Sequence, residues 1–451
     1  MKDQLDSHLG KVDSTGSKYL VPLIFVTSLF FMWGFITVLV DSLVPRLREI
    51  FELNYSQSIL VQFAFFIAYG LISIPAGFLL SKIGYKRGML VGLAIMGIGC
   101  LLFLPAASMR VFPLFLLGYF VLAGGMTILQ VAANPYVAVL GPEKTASSRL
   151  ILSQAFNSLG TAIAPIIGAM VILSDNIKSS DEIAALTDVA KQTYFDAEAS
   201  AVRTPFLILA GSLLLLAFLI GLVHLPKILG DSNNKGGYGI ALSNNKLLLG
   251  ALGIFVYVGA EVSIGSFLVN YFIDMDMAAN IKDNSTMYAI ASFFLGSTDL
   301  SSIDTKGIVG AFVFFYWTGA TVGRFIGAGL TRVVTPGKVL AFFGMCAIVM
   351  LVISMSTSGF VSMWSILAVG LFNSIMFPTI FTIAIEDLGD YKPQGSGILC
   401  TAIAGGAFIP WIFGKTADAY SIKIALIIAI LCYAYILFYG FRFSKRRMST
   451  T

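Results

Sequence analysis

Apolar runs of about 20 residues, each closed by a short polar turn, recur along this chain. That length matches a helix crossing a hydrocarbon layer of about 30 Å at about 1.5 Å per residue. The pattern predicts twelve spans, near residues 19–44, 56–81, 88–108, 111–140, 147–174, 204–224, 247–273, 307–331, 338–357, 360–385, 394–414 and 421–441. The first run follows a polar stretch, 1–18, and has no small-residue cleavage pattern, so it is read as a retained helix. Connections at 175–203 and 274–306 are long and acidic, while 225–246 is rich in Gly, Asn and Ser. A flexible midpoint between six spans and six predicts two bundles, 19–224 and 247–441, joined by the linker 225–246. The polar tail 1–18 and the basic tail 442–451 complete the chain.

Composition sharpens the class. Of 451 residues, 57% are apolar and 12% charged, against roughly 25% charged in a soluble domain. A mean hydropathy of +0.87 excludes a soluble enzyme, a disordered chain and a nucleic-acid reader. The net charge of +5 matters less than its placement. The side holding both termini carries 18 Lys and Arg against 10 on the other, with Arg324 inside the eighth span. That excess predicts cytoplasmic termini and a multi-pass protein of the plasma membrane, a bacterial inner membrane by expectation. Cys100, Cys346, Cys400 and Cys432 lie in apolar runs without CxxC spacing and read as buried thiols. His8 and His224 sit in a tail and at a helix end, which leaves no His-based catalytic cluster and argues against an enzyme.

Internal repeats offset by six spans support the two-bundle reading. Gln130 stands five residues before Pro135 in span four, and Asn373 five before Pro378 in span ten. Asn157 precedes Pro165 by eight, with Gly160 between; Ala402 precedes Pro410 by eight, with Gly405 between. Basic loops follow span two (Lys82, Lys86, Arg87) and span eight (Arg332, Lys338). The expected fold is an all-α membrane protein of twelve helices in two six-helix bundles related by a pseudo-two-fold axis. Glycine runs such as Gly92, Gly97 and Gly99 predict close helix packing.

Chemistry inside the membrane is sparse and therefore informative. A mid-bilayer carboxylate costs about 2.5–3.5 kcal/mol on insertion scales. Only Asp41 in helix 1 and Glu261 in helix 7 fall well inside spans, and both can face a cleft between the bundles. Gln130 and Asn134 share one face of helix 4, and Gln154 and Asn157 one face of helix 5; Asn373 occupies the repeat position of Gln130. Amides both donate and accept, which suits a ligand bearing several hydroxyls, although each can instead join helices. Trp33, Phe156, Tyr257, Trp317 and Trp411 offer stacking faces for a sugar ring, or packing and interface anchors.

Together these residues resemble the major facilitator superfamily, and within it the fucose/galactose/glucose:cation symporter family. The segments LQVAANPYVAVLGPE (129–143) and SRLILSQAFNSLGTAIAP (148–165) are similar to that family, as are VGAEVSIGSF (258–267), GRFIGAGL (323–330), FPTIFTIAIEDLG (377–389) and GGAFIPWIFGKTAD (405–418). The resemblance implies alternating access around a central sugar site, with an acid in helix 1 (Asp41) and an asparagine in helix 5 (Asn157). The proton-coupled fucose branch has a helix 4 Glu where this chain has Gln130, and a helix 7 Gln where it has Glu261. That exchange is similar to the glucose/galactose branch, some of whose relatives are sodium-driven. The expectation is hexose uptake, glucose or galactose first, with the sugar held by Gln130, Asn134, Gln154, Asn157, Glu261 and Asn373, flanked by Trp33 and Trp411. Asp41 and Glu261 are the coupling acids, and Asp41 is the expected Na⁺ ligand, Na⁺ being favoured over H⁺. No cofactor and no nucleic acid are expected; the partners are a monosaccharide, the coupling cation and the bilayer around a monomer. A proton-driven fucose-type symporter and a sugar sensor with a transporter fold remain the alternatives.

Overall fold

The computed structural model describes residues 13–50, 55–172, 185–223, 225–226 and 237–444, and their side chains except at 13–18, 40–50, 55–62, 166–172, 188, 195–196 and 198–202. Among the described residues helix dominates and no strand forms. The long helices are α1 (Asp13–Ile50), α2 (Tyr55–Met109), α3 (Phe112–Val139), α4 (Ala146–Ile172) and α5 (Asp188–Leu222), followed by the short α6 (Tyr238–Leu242). Then come α7 (Asn245–Asp274), α8 (Met277–Asp283), α9 (Ser285–Leu295), α10 (Thr305–Val333), α11 (Pro336–Ser356), α12 (Gly359–Asn373), α13 (Met376–Ile385), α14 (Lys392–Thr401), α15 (Gly405–Ala419) and α16 (Ile422–Arg442).

Nine helical stretches among the described residues are long and apolar enough to cross a membrane. Two of them, Phe63–Met109 and Gly359–Ala419, each hold two of the expected spans. The first turns back at Gly84, whose φ of 79° a side chain would oppose. The remaining span is α4, which carries Ser147, Ser148, Arg149, Ser153, Gln154 and Asn157 in its opening turns and a mostly apolar sequence from there to Ile172. Twelve crossings are thus consistent with the fold.

Span ten breaks between α12 and α13. Pro378 has no N–H and its ring clashes with the carbonyl four residues back, so the helix yields around Ser374. The region expected as a loop at 274–306 is instead folded: it holds α8 and α9 and buries Met277, Ile281, Ala291 and Leu300.

Contacts group the chain into two units. The first comprises Met1–Ala146, Phe156–Asn244 and Asp387–Thr401. Here α2 lies along α3 and α5, and α14 packs on α2 and α3. Glycine permits the α2–α3 approach: a Cβ on Gly99 would stand 2.6 Å from the Leu122 nitrogen, and one on Gly125 2.5 Å from the Met96 nitrogen. The α2–α14 crossing is equally tight, since a Cβ on Gly397 would meet the Ser73 carbonyl at 2.7 Å. The Tyr238 hydroxyl of α6 enters that crossing and donates to the Ile74 carbonyl. Burial pushes its phenol up to about 12, so it remains a donor at neutral pH.

The second unit comprises Ser147–Ala155, Asn245–Glu386 and Ala402–Thr451. Here α7 is surrounded by α13, α15 and α16, while α12 lies between α10 and α11. An ion pair joins Lys246 to Glu386. Cutting the chain at the linker alone does not reproduce these units, because the start of α4 packs with the second and α14 with the first. Cys100, Cys400 and Cys432 are buried; Cys346 is only partly so.

Candidate functional site

In the first unit the polar face of α3 is fully inside the protein. Gln130 is 3% exposed and its Nε2 donates to the Tyr69 hydroxyl on α2. One turn on, Asn134 is completely buried, and neither end of its amide has a hydrogen-bond partner of nitrogen or oxygen. The Cys400 thiol of α14 lies beside it. The Ser73 hydroxyl and the Gln394 side-chain oxygen are also buried without partners. Pro135 explains one bond that is made. It removes the N–H that would reach the Val131 carbonyl, and Ser396 Oγ donates there instead, at 2.9 Å.

Asn157 joins α4 to α1. Its Nδ2 donates to the Phe30 carbonyl at 2.9 Å, and the helices touch so closely that a Cβ on Gly34 would lie 2.7 Å from the same nitrogen. Trp33 is partly buried, with its ring 5.7 Å from Phe30, and its carbonyl accepts from Thr37 Oγ1 at 2.9 Å. Asp41 is on α1, but its side chain lies outside the described residues. A crevice lined by Thr37, Phe65, Tyr119, Leu122, Ala123 and Met126 includes two hydroxyl-bearing residues and no charge, so it is not a hydrophilic chamber.

The second unit has its own polar cluster, centred on Glu261 of α7. The buried Tyr257 hydroxyl, one turn earlier, hydrogen-bonds the Glu261 carboxylate, and the Arg324 guanidinium of α10 attracts it. Arg324 is itself fixed by carbonyls: Nε donates to Ser374 at 3.3 Å and one terminal nitrogen to Gln154 at 3.4 Å. The Ser374 carbonyl is the one that Pro378 frees in breaking span ten. Asn373, fully buried, donates through Nδ2 to the Tyr316 hydroxyl at 2.6 Å, while its oxygen and the Tyr433 hydroxyl have no geometrically sound partner. Gln154 is buried, whereas Trp411 is 66% exposed and Trp317 about half exposed. Gln154 belongs to the second unit and Asn157 to the first, so their shared helix face serves two different neighbourhoods.

The two units repeat one device. In each, the amide five residues before a proline within the span bonds a tyrosine two spans earlier, Gln130 to Tyr69 and Asn373 to Tyr316. In each, a side chain from another helix takes the carbonyl that the proline frees. The amides were visible in the sequence; their partners were not, because tyrosine in a span reads as packing. Arg324 was the missed signal. A cation within a span is as costly as an acid and invites a partner. Among the described residues no group of three His, Cys, Asp or Glu is placed to hold a metal ion.

Comparison with known proteins extends these findings. A model of the Major Facilitator Superfamily matches residues 23–410. A glucose/galactose transporter of Brucella abortus is 50% identical over 436 residues, 96% of each chain. The L-fucose-proton symporter of Escherichia coli is 33% identical over 446 residues, covering 96% of this chain and 94% of that one. A crystal structure of the E. coli fucose:proton symporter superposes with a TM-score of 0.82 at 31% identity, covering 95% of this chain and all of the other.

Proposed function

Because the chain belongs to the major facilitator superfamily, we propose that it is a secondary transporter taking up a hexose, glucose or galactose, together with Na⁺. It is a transporter and not an enzyme. The relative at 50% identity is named a glucose/galactose transporter, and the fucose-proton symporter is more distant at 33%. The observation that carries the reading is the buried amide Gln130, bonded to Tyr69, where the resemblance to the fucose branch calls for a carboxylate. An amide donates to and accepts from sugar hydroxyls, and its oxygen can face a cation, but it cannot take up and release a proton. The second acid sits instead on α7, where Tyr257 and Arg324 hold Glu261.

In this reading Gln130, Asn134, Gln154, Asn157, Glu261 and Asn373 engage the sugar hydroxyls, with Trp33 and Trp411 as apolar faces. Asp41 takes the cation, its carboxylate supplemented by neutral oxygens, which suits a hard ion. One charge moving across the membrane supplies about 2.3 kcal/mol per 100 mV, roughly a 50-fold accumulation of a neutral sugar. Each bundle, 19–224 and 247–441, moves largely as a rigid body around the bound sugar. The protein works as a monomer in the bacterial inner membrane, with both termini in the cytoplasm. Competition against labelled glucose uptake in proteoliposomes tests the substrate. Unlabelled galactose should suppress uptake and unlabelled fucose should not; the reverse order assigns the chain to fucose. Proton coupling is the second reading, favoured by Glu261, the one carboxylate seen inside a described span.

A further inference from the structure

The segment between α7 and α10 joins the ends of two membrane-crossing helices, at Asp274 and Thr305, and folds rather than wandering. Asn284 caps α9 by accepting from the Thr286 and Met287 nitrogens, both at 3.1 Å. Gly296, at φ 63°, closes its other end in a left-handed turn. The Tyr288 hydroxyl then ties the returning chain, donating to the Thr298 carbonyl at 2.8 Å and accepting from the Leu300 nitrogen at 3.2 Å. With Ala291 and Leu300 wholly buried, the fold of this segment is specified, not incidental.

What it presents outward is unusual for a water-facing helix. None of the 11 residues of α9 is charged, and its outer face carries Thr286, Ala289 and Phe293, the last 80% exposed. Charges stand only beyond its ends, at Lys282 and Asp283 before it and Asp299 and Asp304 after it. Phe294 packs on Phe314 and Phe315 of α10 at 4.8 and 5.5 Å, and Phe315 reaches Trp364 of α12 at 5.1 Å. Phe314 is itself about half exposed on a helix that crosses the membrane. The apolar face of α9 is therefore continuous with a lipid-facing wall. Aromatic residues are enriched where hydrocarbon meets headgroups, and a short uncharged helix flanked by charges fits that layer.

We propose that α9 lies in the membrane interface, with Ala289 and Phe293 among the lipid chains, anchoring the α7–α10 connection and the end of α10 to one leaflet. Nitroxide labels at Phe293→Cys and Ala289→Cys test this in the full-length protein, reconstituted into phosphatidylethanolamine/phosphatidylglycerol vesicles, with Lys282→Cys as the water-side reference. Cys346→Ser removes the one native thiol that is not buried. Collision with oxygen relative to a water-soluble nickel chelate should be several-fold higher at positions 289 and 293 than at 282. Equal ratios at all three positions place α9 in water and overturn the proposal. Shielding of 289 and 293 from both quenchers that fades on dilution of protein in lipid assigns the face to a second copy of this chain, and overturns it equally.

Discussion

At the scale of single residues, the chain concentrates its polar chemistry where helices touch most closely. Asn157 bonds the Phe30 carbonyl because Gly34 lets α4 press onto α1. Gly34→Ala should cost about 1–3 kcal/mol of overpacking, read as a lower unfolding temperature of the purified protein; an unchanged temperature would refute the contact. Glu261→Gln keeps an acceptor for Tyr257 but removes the charge facing Arg324. The loss should fall in the range of about 10–100-fold in hexose uptake at subsaturating sugar. Equal uptake by variant and parent removes Glu261 from the site. Asp41→Asn should abolish accumulation against a gradient while leaving counterflow exchange, and undiminished accumulation would strip Asp41 of its coupling role. Of the residues discussed, Gln130, Asn157, Glu261 and Asn373 stood out in the sequence because polar groups in an apolar run are expensive. Arg324 carried the same signal, as a cation within a span, and was passed over; Tyr69 and Tyr316 carried none, since their importance lies in what they touch across helices.

At the scale of elements, proline punctuation does more than kink helices. Pro135 and Pro378 each free one carbonyl, and Ser396 and Arg324 donate to them, so that each proline ties one helix to another. Hydropathy made the spans legible because every crossing needs about 20 apolar residues. It could not reveal the break within span ten or the helices α8 and α9, because a short helix leaves little periodic signal. The linker residue Tyr238 was likewise unremarkable in sequence, yet it holds α14 near α2 by bonding Ile74 beside Gly77 and Gly397. Tyr238→Phe forfeits one hydrogen bond, worth about 0.5–1.5 kcal/mol, and should speed alkylation of the buried Cys400 by about 2–10-fold in a Cys346→Ser background. An unaltered rate would show that the hydroxyl does not restrain α14.

At the scale of the whole molecule, the repeated amide–tyrosine–proline device gives both halves related internal architecture, as a duplicated six-helix ancestor would leave behind. The departures between the halves fall on the chemistry: Gln130 against Asn373, and Asn157 against Ala402. Glu261 and Arg324 belong to the second unit and Gln130 and Asn157 to the first. Coupling is the property on which this reading stands or falls. Labelled glucose uptake into proteoliposomes, with Na⁺ and H⁺ gradients imposed separately at neutral pH, measures it directly. Accumulation under an inward Na⁺ gradient without a pH difference is the expected result. Accumulation under the proton gradient alone, with none under Na⁺, would contradict it.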